Sequence, residues 1–231
     1  IQVVVSGVGY LLPVFTAQIG TGDLAGLRRS FLFSTRIAMA GSAVIGGFLV
    51  TLGGPVIALW IGEEYRWAAL PLAILVAGLF VEVGQTPSGN LLFALGRQSF
   101  LAKLGIVEAL ANLALSLALA RPLGLLGVAI GTALPLVVLR ATLLPSFICR
   151  EIGLPPGDFL RAAARAALPA IAMHALLWLA LAPLGAERPM LALVIGAGAA
   201  PPLGLVVFLL AFAREERAQM LAGIAGWFGR G

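Results

Sequence analysis

Apolar residues fill this chain in long runs, and polar residues mark where each run stops. The first run covers about 1–19 and ends at Gly20-Thr21-Gly22-Asp23. Others follow at about 31–60, 68–95, 100–120, 124–148, 162–182 and 189–213. A helix crossing the hydrocarbon core of a bilayer needs about 20 apolar residues, so each run can span one. A membrane barrel would instead show segments of about 10 alternating residues. The pattern predicts an all-α, polytopic transmembrane bundle of about seven spans over 1–213. A tail over 214–231 reads as amphipathic, with Trp227 and Phe228 suited to a headgroup layer.

Composition agrees with lipid as the solvent. Hydrophobic residues make up 61% of the 231 and charged residues 11%, against about 25% charged in soluble domains. Mean hydropathy is +1.06. The chain opens on Ile1 inside an apolar run with no charged segment before it, which reads as a fragment preceded by a missing N-terminal lobe and not as a signal peptide. Net charge is +5, but the basic residues are scattered and not interleaved with aromatics, so no nucleic-acid partner is expected. One cysteine, Cys149, and one histidine, His174, leave no intrachain disulfide and no His-pair or multi-Cys metal motif. There is no hydrolase elbow, Walker loop, HExxH or Ser/His/Asp set. No cofactor, metal or catalytic residue is expected.

The charges orient the spans. One alternate set of loops carries Arg28, Arg29, Arg97, Lys103, Arg150, Arg161, Arg165, Arg214, Arg217 and Arg230; the other carries Arg66, Arg121 and Arg188. By the positive-inside rule, loops 20–30, 96–103 and 149–161 and the C-terminus are cytoplasmic. Loops 61–67, 121–124 and 183–189 then face outward.

Charges left inside spans are functional candidates, because each costs at least about 2.5–3.5 kcal/mol to place at the bilayer centre. Glu82 lies near the middle of span three, with Gln85 and Thr86 at helical spacing behind it. Glu108 lies near the middle of span four, with Asn112 and Ser116 behind it. Each stripe either hydrogen-bonds a neighbouring helix or lines a hydrated cavity. Arg36 and Arg140 either snorkel to the headgroups or line a cavity that attracts an anionic headgroup, which the planar guanidinium fork suits. Pro87 interrupts span three. Gly127 and Gly131 form a GxxxG that permits close helix approach.

Three stretches together resemble the C-terminal half of Wzx-type oligosaccharide flippases, within the multidrug/oligosaccharidyl-lipid/polysaccharide exporter superfamily. The first is Leu12-Pro13, Gly22-Asp23-Leu24, Arg28-Arg29-Ser30-Phe31 and Arg36. The second is Trp60-Ile61-Gly62-Glu63-Glu64-Tyr65 with Ala68-Ala69. The third is Pro87, Asn90-Leu91-Leu92, Ala94-Leu95-Gly96-Arg97, Lys103, Asn112 and Gly124 through Thr132. The resemblance covers about residues 1–150, and the last two spans only by topology. The family commonly has Phe where Ile61 stands. It implies one lobe of a two-lobed, MATE-like bundle in the bacterial inner membrane. Its substrate would be an undecaprenyl-pyrophosphate-linked oligosaccharide, moved by alternating access and coupled to H+ or Na+. It places Arg36 in the cationic cavity of such flippases.

The leading expectation is therefore translocation of a lipid-linked oligosaccharide, with Arg36 and Arg140 on the pyrophosphate and the Glu82 and Glu108 stripes on the glycan. The chain is not expected to be an enzyme. One alternative is a lipid II flippase or multidrug exporter of the same superfamily. Another, of a different class, is a membrane-embedded polysaccharide polymerase or ligase, which would need larger outer loops than the short ones here.

Overall fold

The structure is a computed structural model that describes residues 11–212 and 216–217. Among these residues it is helical throughout, with no strand. The helices are α1 (Leu11–Gly20), α2 (Leu24–Trp60), α3 (Ala69–Gly84), α4 (Thr86–Ala94), α5 (Gln98–Leu123), α6 (Leu125–Glu151), α7 (Pro156–Glu187) and α8 (Pro189–Ala211). A 3-10 helix, Glu63–Ala68, joins α2 to α3. Six helical segments are long and apolar enough to span a bilayer, α3 and α4 counting as one, and α1 is a shorter apolar helix. Residues 1–10 of the first expected span lie outside the described residues, as do Arg214, Arg230, Trp227 and Phe228 of the expected tail.

The helices are longer than the apolar runs. The 149–161 loop, expected to be the longest, shrinks to the four residues between Glu151 and Pro156, and α7 begins on Pro156 with Asp158 in its first turn. The outer turns shrink likewise, to Gly124 alone and to Arg188 alone. The cause is that charges mark where a helix leaves lipid and not where it ends. Arginine is a good helix former, so Arg161, Arg165 and Arg121 continue helices into the headgroup region. Gly124 sits at φ +57 with ψ −134, a backbone conformation that L side chains rarely adopt, so only glycine makes this one-residue reversal without strain.

The packing order runs α5–α6–α3–α2, with α7 and α8 on the far side of α2. Two cores result. Phe15, Leu27, Phe31, Leu91, Leu92, Leu144 and Ile148 form one, built from bulky side chains of α1, α2, α4 and α6. Ala40, Ala43, Ala163, Ala166, Ala167, Ala170 and Ala211 dominate the other, between α2, α7 and α8. Leu110, Leu113 and Leu117 of α5 are each more than half exposed, as a lipid-facing helix requires. Thr132, Thr142 and Ser146 donate their hydroxyls to the carbonyls of Val128, Val138 and Thr142 one turn back, which satisfies these polar groups within the helix.

Contacts between loops separate the two ends of the bundle. Arg28 Nε donates to the Ile152 carbonyl at 2.8 Å, and Arg97 Nε meets Glu151 at 3.2 Å. These bring loops 20–30, 96–103 and 149–161 to one end, the Arg-rich one. At the other end Arg66 donates to the Gly185 carbonyl at 2.7 Å, joining the 61–67 and 183–189 turns.

Candidate functional site

Helices α3 and α5 both pack against α6. The wedge between them, extended by α4, is a cleft of about 880 Å³. Glu82 and Gln85 reach it from the end of α3, Thr86 and Asn90 from α4, Glu108 from α5, and Arg140 from α6. Arg140 Nε donates to Glu108 at 2.9 Å, and Arg140 Nη1 lies 3.6 Å from Glu82. Side-chain exposure is 16% for Glu108, 28% for Arg140 and 42% for Glu82, so the first pair is the more sheltered.

Depth follows from the connections. Arg97 and Glu151 pair at one end of α5 and α6. Glu108 lies about 15 Å from the start of α5, and Arg140 about 16 Å from the end of α6, at 1.5 Å per residue. Both thus lie several turns inside helices long enough to span a bilayer. A lone charge there is expensive, and a guanidinium shared by two carboxylates offsets much of that. The guanidinium of Arg140 meets Glu108 and Glu82 inside the cleft.

The break in span three shapes this site. Pro87 lacks the N–H that would reach the Val83 carbonyl, so one helical hydrogen bond is missing at this level. The chain stops being helical at Gln85 (φ −92, ψ 4) and restarts at Thr86. Glu82, Gln85 and Thr86 therefore do not share one continuous helix face, yet all three line the cleft. Gln85 is 4% exposed and accepts a 2.6 Å hydrogen bond from Ser88.

The second stripe divides. Glu108 faces the cleft, whereas Asn112 turns to α6: its Oδ1 accepts from Ser116 at 3.0 Å and lies 3.4 Å from the Thr132 hydroxyl oxygen. Gly127 and Gly131 let this happen. A Cβ on Gly131 would lie 2.5 Å from the Ser116 backbone nitrogen, and one on Gly127 would collide with the Leu119 carbonyl. Asn112 is part of a helix clamp and not of the cleft.

Arg36 and Arg140, read from sequence as a pair, do not share a pocket. Arg36 lines a separate cavity of about 260 Å³ with Leu32, Asp158, Arg161, Ala162 and Arg165. Its guanidinium pairs with Glu216 and stands 6.0 Å from the Phe33 ring. Arg161 and Arg165, counted from sequence only as loop charges, are its neighbours there. Their i, i+4 spacing was the signal that both point one way from a helix. His174 packs against Gly47, lies edge-on to Phe48 at 4.4 Å and lines a further cavity of about 400 Å³, and Cys149 is 2% exposed in the core. Among the described residues no three His, Cys, Asp or Glu side chains gather as a metal site would need.

Comparison with known proteins gives one distant relative. An uncharacterized membrane protein, EpsK of Bacillus subtilis (strain 168), is 27% identical over 152 residues, covering 64% of this chain. The chain spans 30% of that relative's length. No family model matches the chain, and no solved structure does. Six helical segments of spanning length among the described residues, together with a relative that is itself a membrane protein, make this chain a multi-pass membrane protein.

Proposed function

We propose that the chain is one lobe of a flippase that carries an undecaprenyl-pyrophosphate-linked oligosaccharide from the cytoplasmic to the periplasmic leaflet of the bacterial inner membrane. It would work by alternating access and make or break no covalent bond. The observation that carries the reading is the cleft itself, where Arg140 is held between Glu82 and Glu108 several turns inside the spanning helices. Polar groups in lipid-spanning helices are placed for traffic or packing, and a cleft of this size beside them favours traffic. The ordered motifs from Leu12 to Thr132 supply the substrate class.

The roles divide between the two pockets. The cleft carries two carboxylates against one guanidinium, a net charge of −1, and suits a coupling proton or monovalent cation together with sugar hydroxyls on Gln85 and Thr86. The pocket of Arg36, Arg161 and Arg165 takes the pyrophosphate, because Arg forks match pairs of phosphate oxygens. The Arg-rich end and the C-terminus are then cytoplasmic.

The test is complementation of a chromosomal deletion with the complete protein. Arg36→Ala is expected to abolish surface polysaccharide at normal protein abundance in the membrane. Wild-type polymer in that strain would overturn the reading. The acidic cleft also favours a second reading, an exporter of lipophilic cations. That reading expects a deletion strain hypersensitive to cationic dyes with its surface polymer unchanged.

A further inference from the structure

The contact between Arg36 and Glu216 joins positions 180 residues apart. Both side chains are largely buried, at 16% and 23% exposure. The pocket beside them holds three guanidinium groups, Arg36, Arg161 and Arg165, and one carboxylate, Asp158. Asp158 is engaged by Arg161 at 3.2 Å on its own helix. Without Glu216 the lining carries a net charge of +2, so the tail carboxylate arrives where an anion is wanted.

The fit of that carboxylate is incomplete. One oxygen of Glu216 accepts from the Arg36 Nη2 group, while Arg36 Nε is buried without a hydrogen-bond partner. A buried donor left unmade is costly. A phosphate group, with three oxygens in a compact tetrahedron, can engage both edges of the guanidinium and also reach Arg161 and Arg165. The pocket has an anion in it, and a better anion would displace it.

We propose that Glu216 is a tethered competitor for the phosphate site on Arg36. Its carboxylate closes the site when no phosphate is bound and leaves when one arrives. The proposal rests on the reading of Arg36 as a phosphate ligand. It makes the tail a device that lowers the net charge of the basic pocket from +2 to +1 between transport cycles and excludes weakly held anions. The apparent dissociation constant of a ligand is its intrinsic value divided by the fraction of open sites. A pair closed nine-tenths of the time weakens apparent affinity about tenfold.

The experiment uses the complete protein in phosphatidylcholine nanodiscs, titrated calorimetrically with sodium pyrophosphate at constant ionic strength. Glu216→Gln is expected to bind about tenfold tighter than wild type. Arg36→Ala is expected to lose binding, and Arg36→Ala with Glu216→Gln to behave as Arg36→Ala alone. Glu64→Gln removes the same charge at a turn at the opposite end of the bundle and is expected to change nothing. Unchanged affinity in Glu216→Gln, with binding still lost in Arg36→Ala, overturns the competitor and leaves the phosphate reading standing. Equal tightening by Glu64→Gln, or tightening that persists without Arg36, overturns it as a mere effect of net charge. Binding that ignores Arg36→Ala, or no binding by any variant, overturns the reading of Arg36 itself and the competitor with it.

Discussion

Replacing Arg140 with Ala removes the one cation of the cleft and strands two carboxylates. The structure ranks the two partners. Glu108 is hydrogen-bonded to Arg140 at 2.9 Å and 16% exposed; Glu82 stands at 3.6 Å and 42% exposed. A sheltered, charge-assisted hydrogen bond is worth about 1.5–3 kcal/mol, and an exposed ion pair about 0–1 kcal/mol. Arg140→Ala should therefore destabilise the fold by about 2–3 kcal/mol, most of it from leaving Glu108 unpaired. In double-mutant cycles, Arg140→Ala with Glu108→Ala should give a coupling of about 1.5–2 kcal/mol. Arg140→Ala with Glu82→Ala should give less than about 0.5 kcal/mol. Steric trapping in bicelles measures unfolding free energy in a membrane-like solvent and can read both cycles. A Glu82 coupling equal to or larger than that of Glu108 would refute the ranking. Two couplings of zero would refute the cleft as an ion-paired site.

Other outcomes follow from helix packing. Gly131→Val should push α5 from α6 and destabilise the fold by at least about 2 kcal/mol, because the new Cβ meets the Ser116 backbone, which cannot step aside. By contrast, a Cβ at Gly105 meets nothing within 4 Å, so Gly105→Ala should be neutral or stabilising by up to about 1 kcal/mol; the same unfolding assay reads both. Ser88→Ala removes the donor to buried Gln85 and should destabilise the fold by about 1 kcal/mol.

Much of the architecture was legible because lipid restricts what a chain can do. Only closed hydrogen bonding crosses a bilayer, so long apolar runs had to be helices, and the alternation of Arg-rich and Arg-poor turns matched the two ends that Arg28–Ile152 and Arg66–Gly185 tie together. Helix ends were less legible, since arginines that exit the membrane continue the helix. Of the cleft-lining residues, Glu82 and Glu108 stand out in the sequence by their place within apolar spans, and Gln85 by its helical spacing behind Glu82. Arg140 stands out as well, but that it reaches Glu108 and Glu82 while Arg36 lines another pocket is not legible, because spacing along a chain cannot say which packed helix a long side chain reaches. Asn112 was misplaced for a related reason: a helix face wide enough to hold Glu108 and Asn112 can serve a cleft at one level and a neighbouring helix at the next. Glu216 lay too far along the chain for any local pattern to reveal it.

The alanine-rich contact of α7 and α8 with α2 has a thermodynamic consequence of its own. In lipid, helices gain nothing from escaping water, so where no polar groups meet, association rests largely on close dispersion contact. An alanine contributes little area but has no rotamer freedom to lose when it is packed. Every contact made by Ala163, Ala166, Ala167 and Ala170 is therefore retained in full, whereas Phe15, Phe31 and Leu91 in the other core each surrender side-chain entropy on packing. The bundle is held by two unlike joints: a smooth, entropically neutral seam on one side of α2, and an interlocked, volume-filling one near its Arg-rich end.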